Sequence, residues 1–312
     1  MTSSSCPRAT RHGGTGSADE RRGAHGARWP DGPQHGVSIL RFGTRQATRS
    51  AVFHGYQLYG EADGPATIDY HFWLLHAPDG GVAVVDTGFS RESGRARGRT
   101  MLIEPGELLV RMGIDPLAVD LVVLTHAHYD HTGNLDLFPN ARIVLSRAEY
   151  DFWLHAEVAR RTQFAYYAEP SDLEALARAR RSGRLELFDD QVVPVPGVVV
   201  RCFPGHTPGQ AAVLVTTDEG PVVLASDVVH FYEELLRDRP FAVTTDLAAM
   251  YASTERLRRI IADAGAHLVT GHDPSTLDRF QRAPGPLSPY VASIGLSSRP
   301  GATGAHHMED SV

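Results

Sequence analysis

Cysteine is almost missing from this chain. Cys6 and Cys202 are the two thiols in 312 residues, so no disulfide framework holds it together, and Cys202, beside an apolar run, reads as a small buried hydrophobe. Long hydrophobic runs are missing too: no stretch approaches the roughly 20 apolar residues of a membrane-spanning helix, so no membrane partner is expected. Positive charge is not in surplus. The formal net charge of −7 removes the basic footprint of a nucleic-acid partner. The N-terminal stretch contains arginines but no apolar core of a secretory signal, which leads to the expectation of a cytoplasmic protein. There is no Gly-x-Ser-x-Gly elbow to present a serine nucleophile, and no repeat of fixed period.

What remains is ample for a folded enzyme. Hydrophobic residues make up 42% and aromatic residues 8%, enough to fill the core of one large α/β domain. Residues 1–36, dense in Ser, Gly, Arg and His, read as a disordered leader. Gly13, Gly14 and Gly16 follow no strand, so they do not form a nucleotide loop. Residues 283–312, with Pro, Gly, Ser and the His306-His307 pair, read as a loose tail, which leaves 37–282 as the catalytic domain.

Within that domain, His71–Leu75 and Val82–Val85 flank Pro78-Asp79-Gly80-Gly81, a hairpin by its turn chemistry. Helices are expected from Pro105 to Met112, from a capping box at Ser146-Arg147-Ala148-Glu149 toward Arg160, from Ser171 to Gly183, and from Asp246 to Ala264. Strands are expected at Val192–Phe203, Ala211–Val215 and Val222–Ala225.

The chemistry is concentrated in Leu124-Thr125-His126-Ala127-His128-Tyr129-Asp130-His131, which follows the buried run Asp120–Leu124. Three imidazoles and a carboxylate in one loop are expensive to bury unless a cation shares their lone pairs. If the chain stays extended, His126 and His128 point the same way, while Asp130 and His131 lie beyond the turn. Two metal sites in one cavity are the expectation. Further ligand candidates end other apolar segments: His206 in Pro204-Gly205-His206-Thr207-Pro208-Gly209, Asp227 after Val222–Ser226, and His272 after His267–Gly271.

As a set, His126-x-His128-x-Asp130-His131, Gly205-His206-Thr207-Pro208-Gly209, Asp227 and Gly271-His272 resemble the metallo-β-lactamase superfamily, with Val84-Val85-Asp86-Thr87-Gly88 matching its early strand-end motif. The resemblance covers roughly residues 37 to 282. It implies an αββα sandwich of two mixed sheets flanked by helices, with two zinc ions (Zn2+) at one edge. It further implies that His126, His128 and His206 hold one metal, that Asp130, His131 and His272 hold the other, and that Asp227 bridges them. Asp86 is then expected to orient a ligand histidine or tie its own turn. Zinc brings the pKa of bound water to near 7, so the implied reaction is attack of hydroxide on an acyl carbonyl, with Asp130 or Asp227 carrying the proton.

Fold does not choose substrate. Secreted β-lactamases would carry an export signal, glyoxalase II enzymes a helical C-terminal domain, and the nucleases a basic surface. The similarity that remains is to the N-acyl-homoserine-lactone lactonase group and its pyridoxolactone-hydrolysing relatives. It is carried by Ser226-Asp227-Val228-Val229-His230-Phe231-Tyr232, Arg239-Pro240-Phe241 and Gly271-His272-Asp273-Pro274. Those lactonases place a tyrosine three positions after the bridging aspartate; here His230 stands there and Tyr232 is the nearest tyrosine. Either is a candidate to polarise the substrate carbonyl, and packing is the alternative for both.

Phe152, Trp153, Phe164, Tyr166 and Tyr167 read either as a roof over the substrate or as core, and Arg237 and Arg239 as a carboxylate clamp or a solvated face. His54, His71, His76, His155 and His267 read as ordinary. The expected function is a dinuclear zinc hydrolase that opens the ring of an N-acyl-homoserine lactone, a lactonase of the quorum-quenching type, with another small lactone, ester or thioester as the alternative substrate and a homodimer allowed. A mononuclear iron sulfur dioxygenase and a metal-binding scaffold without turnover are the alternatives of another class.

Overall fold

The computed structural model describes residues 29–295. The chain first lays down β1 (Gly36–Thr48), β2 (Pro65–His76), β3 (Val82–Val85), β4 (Thr100–Met101), β5 (Leu121–Val123), β6 (Arg142–Ser146) and β7 (Leu185–Phe188). It then crosses to a second sheet with β8 (Gln191–Val195), β9 (Val198–Cys202), β10 (Ala211–Thr217), β11 (Gly220–Ser226) and β12 (His267–Thr270). Finally β13 (Gln281–Arg282) and β14 (Val291–Ile294) return to the first sheet. The first sheet runs β13-β14-β1-β2-β3-β5-β6-β7, with β4 on β1; the second runs β12-β11-β10-β9-β8. Both are mixed: β3, β5, β6 and β7 are mutually parallel, as are β11 and β12, and the other pairs are antiparallel.

Alternation along the strands explains the layering. In β2, Trp73 and Leu75 join Val85, Val123, Val200, Val213 and Leu224 in the core between the sheets. Phe72 and Leu74 face the other way, against Leu108, Leu109 and Leu176 of the outer helices. Beyond the second sheet, Ala212, Leu214 and Val223 pack on Leu257 and Ile260 of the helix Leu247–Ala264. Strands buried on both faces read as continuous apolar runs, which is how β5 and β11 stand out in the sequence. The architecture is the αββα sandwich expected.

Several local readings need correction. The domain does not begin at 37 or stop at 282. The Thr216 hydroxyl donates to Pro30 O at 2.7 Å, and β14 pairs with β1 from Val37↔Ile294 to Leu40↔Val291. Four residues are too short a run to advertise a strand amid Pro and Ser. The remainder of both expected terminal segments, with the His306-His307 pair, lies outside the described residues. The run from Val192 to Phe203 is a hairpin, β8 and β9, turned at Pro196-Gly197 with Gly197 at φ +83°. Ser146 Oγ accepts from Glu149 N at 3.3 Å, but the Glu149 carboxylate does not return to the cap, and the helix ends at His155. The helix expected from Ser171 starts one residue earlier, with Pro170 in its first turn. No helix among the described residues is long and apolar enough to cross a membrane.

Deleting β14 tests the boundary. Val291 and Ile294 are 0% and 4% exposed, so a chain ending at Arg282 is expected to lose roughly 3–6 kcal/mol of folding free energy. Urea unfolding against the full chain measures this, and an unchanged midpoint would leave β14 with no share in the core.

A second expectation concerns pH. Asp172, in the first turn of the helix Pro170–Arg181, is 7% exposed, and its Oδ2 has no hydrogen-bond partner among the described residues. Burial, and then the Glu169 charge, pushes its carboxyl up to about 7. In the unfolded chain such a group titrates near ~3.9. The folded state therefore holds the extra proton between these values, and stability falls as pH rises from about 4 to about 7. Asp172→Asn is expected to raise the melting temperature at about pH 8 and barely change it at about pH 4.

Candidate metal centre

Parallel strands put their carboxyl ends at one edge of the sandwich, and the ligand loops start there. Val85 pairs with Val123, which brings Asp86 beside the loop after β5. Ser226 pairs with Thr270, which brings Asp227 beside Gly271-His272. His206 sits on the β9–β10 loop, and Ala211 N donates to Thr125 O at 2.8 Å, tying the second sheet to the first at that edge.

The backbone is bent to aim these groups. Asp86 and Ser226 hold left-handed conformations at φ +61° and +46°, unusual for residues with side chains and common at functional sites. Gly271 is required for a different reason. A Cβ there would lie 2.7 Å from Ser226 O and 2.8 Å from Asp227 Oδ1.

The seven expected ligands converge. His126, His128, His206 and Asp227 form one group and Asp130, His131 and His272 another, with the ligand atoms of each within 4.8 Å of one another and every residue buried. His206 Nε2 lies 3.0 Å from His128 Nδ1. Asp227 Oδ2 lies 3.2 Å from His206 Nε2 and 3.7 Å from His126 Nε2, whereas Oδ1 lies 3.3 Å from His131 Nε2 and 3.2 Å from His272 Nε2. His272 Nε2 also lies 3.3 Å from Oδ2, so this one carboxylate reaches both groups, with His272 between its two oxygens. Asp130 Oδ2 is 3.9 Å from both His131 Nε2 and His272 Nε2. The inward nitrogens of His126 and His131 are buried without a hydrogen-bond partner, and groups of this kind call for a cation.

The other ring nitrogens are anchored. His131 Nδ1 donates to Asp86 Oδ2 at 2.7 Å, His206 Nδ1 to Val243 O at 2.9 Å, and His272 Nδ1 to Asp69 O at 2.8 Å. Such anchors fix the tautomer and leave Nε2 as the lone-pair nitrogen. Asp86 orients His131 as expected, but what its carboxylate ties is the neighbouring loop and not its own turn, accepting from Thr125 N and Thr125 Oγ1, each at 2.8 Å.

Electrostatics agree with a ligand set. Burial holds His126, His128 and His206 below the usual imidazole range, which keeps them in the neutral form a metal binds. His131 goes the other way: burial opposes its charge, but Asp227, Asp86 and Asp130 outweigh it and raise its pKa well above the usual value. Asp227, although burial pushes its carboxyl up, is held well below the usual range by His272, His131 and His230.

Two candidates move. Tyr232 donates its hydroxyl to Leu268 O at 3.1 Å and lies under the Arg279 guanidinium, away from the cavity beside the ligands. Its ring covers the strand end and polarises nothing. His230 is fully buried, with Nε2 3.2 Å from Asp227 Oδ2, Nδ1 3.3 Å from Glu234 Oε1, and its ring stacked on Phe241 at 3.7 Å. It backs the bridging carboxylate and does not line the cavity. Arg239 is engaged by Glu61 and Glu233, and Arg237 is exposed, so neither clamps a substrate there. Of the aromatic cluster, Tyr166 and Tyr167 border the cavity, Trp153 packs 5.4 Å from the His128 ring, and Phe152 and Phe164, half-buried, pack against the core.

Glu149 is the main residue that the sequence concealed. It is fully buried and accepts from Ala127 N at 3.0 Å, Gly209 N at 2.9 Å and the Trp153 indole. It thereby joins the His126/His128 loop to the His206 loop. Its spacing after Ser146 disguised it as a capping residue. His71, read as ordinary, donates Nδ1 to Gly271 O at 2.9 Å and steadies the His272 turn.

A family model described as the metallo-beta-lactamase superfamily matches residues 67–272. The chain belongs to this superfamily. Among curated relatives within it, the chain is 32% identical over 185 residues to N-acyl homoserine lactonase AttM of Azorhizobium caulinodans, covering 56% of this chain and 65% of that protein. It is 30% identical over 167 residues to an N-acyl homoserine lactonase of a Bacillus species, covering 53% and 60%. The matched stretch thus spans less than two thirds of either relative. In structure, the superfamily fold superposes on a quorum-quenching N-acyl homoserine lactone lactonase with TM-score 0.63 at 22% identity, covering 78% of this chain and 95% of that one. It also superposes on AidC, a dizinc quorum-quenching lactonase, with TM-score 0.59 at 21% identity, covering 85% and 95%.

Glu149→Gln tests the link between the ligand loops. An amide turns a donor toward one of the backbone N–H groups, so metal affinity is expected to fall about 10- to 100-fold. Competition with a chromophoric chelator measures it, and unchanged affinity would reduce Glu149 to packing.

Proposed function

We propose that this chain is a dinuclear-zinc hydrolase that opens a lactone ring, with an N-acyl-homoserine lactone as the substrate class. The observation that carries the reading is Asp227, whose carboxylate lies 3.2 Å from a ring nitrogen of each histidine group beside an open cavity of about 180 Å³. The relatives' names support the substrate class. Cavities for drug-sized ligands run from ~300 Å³ upward, so the acyl part is taken to be short.

His126, His128 and His206 would hold one ion, Asp130, His131 and His272 the other, and Asp227 would touch both. When bound, such a pair supplies a water of lowered pKa and a Lewis acid for a carbonyl oxygen. The protein supplies the rest. Ile68, Phe241 and Val243 give the cavity an apolar wall that orients the ring and keeps bulk water off the carbonyl. Burial pushes the Tyr70 and Tyr167 hydroxyls above the usual phenol range, so both stay protonated as donors beside the reacting groups. Asp227 is spent on the two histidine groups. Asp130 borders the cavity and accepts no hydrogen bond from the described residues, so its Oδ1 is assigned to carry the proton to the departing ring oxygen.

Turnover of a short-chain acyl lactone by the zinc-loaded chain tests this reading, alongside pyridoxolactone, a glutathione thioester and a β-lactam. Ring opening that a chelator abolishes and zinc restores is the expected result, with two zinc ions per chain by elemental analysis. One iron per chain with oxygen uptake would replace the hydrolase by a dioxygenase. His128→Ala is expected to abolish turnover and lower bound metal; full activity in this variant would remove the first site from the chemistry.

A further inference from the structure

Two arginines in the cavity wall neither hold nor anchor a metal ligand. Arg45 and Arg99 are half-buried, and both line the cavity that His128, Asp130, Asp227 and His272 border. The β1–β4 ladder sets Gly43 against Met101 and Thr44 against Thr100. Arg45 follows Thr44 on β1 and Arg99 precedes Thr100, so both flank that short ladder where it borders the cavity. Two like charges on one cavity wall repel each other, so this arrangement asks for an anion.

No carboxylate answers it. The Arg45 side chain makes no hydrogen bond or ion pair among the described residues, and Arg99 donates Nε to Tyr129 Oη at 2.8 Å and another N–H to Arg97 O. Nearby arginines are matched: Arg97 with Glu169 at 2.9 Å, Arg49 with Glu233, and Arg239 with Glu61 and Glu233. The acid whose charge reaches Arg99 is Asp130, itself a metal ligand. Two divalent cations against Asp130 and Asp227 would make the cavity more positive still. Both guanidinium charges also act on the Tyr70 and Tyr167 hydroxyls, which places the pair on the same wall as those phenols.

We propose that Arg45 and Arg99 form an anion subsite and that the substrate is a small lactone or ester whose acyl arm ends in a carboxylate. The lactone or ester part rests on the function proposed above; the subsite rests on the arginines alone. A guanidinium fork matches a planar carboxylate, and an arm of a few carbons fits the cavity volume.

Calorimetric titration of the zinc-loaded full chain with glutarate and with butanoate reads the subsite without turnover. Glutarate is expected to bind about tenfold more tightly than butanoate, and Arg45→Gln to erase most of that margin. A melting curve confirms that the variant is folded. Equal affinities in the unmodified chain, or a margin that survives Arg45→Gln, overturns the proposal. Turnover separates it from the parent reading. N-succinyl-homoserine lactone is expected to exceed N-pentanoyl-homoserine lactone about tenfold in kcat/KM, with the preference lost in Arg45→Gln. Neutral lactone opened without preference for the acid overturns the subsite and leaves the lactonase standing. A glutarate margin without any lactone turnover supports the subsite and removes the lactonase.

Discussion

The buried carboxylate of Asp227 is the constraint on which this edge of the molecule depends. Five imidazoles approach it within 3.7 Å: His126, His131, His206, His230 and His272. An ionised group at 3% exposure survives only if its surroundings replace water, and each of its oxygens is matched from a different side. His230 has its place in this arrangement. It cannot reach the cavity, but it fills the space behind Asp227 and meets Glu234 with its other nitrogen.

Holding so many polar groups in one dry place requires a rigid frame. The parallel pairs β3–β5 and β11–β12 each deliver two loops side by side, and Glu149, Asp86 and the Asp69 backbone lock those loops to one another. Glycine is needed where backbone and ligand crowd, as at Gly271, and strain at Asp86 and Ser226 is overcome by hydrogen bonds made in the bent state. The cavity above this frame is small and carries Arg45 and Arg99 on its wall beside the candidate ligands, so residues outside the ligand set share in fixing its size and charge.

Much of this was legible in the chain. The apolar runs of β5 and β11 announce strands buried on both faces, and Asp246 with Gly265 marks both ends of the long helix, with Asp246 Oδ1 accepting from Ala249 N. The candidate ligands were legible because four metal-competent residues within six positions have no packing rationale. The misreadings share another cause. Glu149 looked like a cap because a capping box and a loop-to-loop tie use the same residue at the same spacing. Tyr232 looked catalytic because separation along the chain does not say which face of a turn a ring occupies. Short β14 was invisible because its partner, β1, lies some 250 residues away in sequence, and such pairing leaves no local pattern.

The sequence by itself pointed out the seven candidate ligands, since clusters of lone-pair donors are local properties of a chain, and its motifs carried the resemblance that implied the fold class. Tertiary structure alone decided that Asp227 reaches both histidine groups, that His230 backs the centre and Tyr232 leaves it, and that Arg45 and Arg99 line one cavity. Each of those facts depends on the register between strands far apart in the chain, and register is set by packing of the whole sandwich.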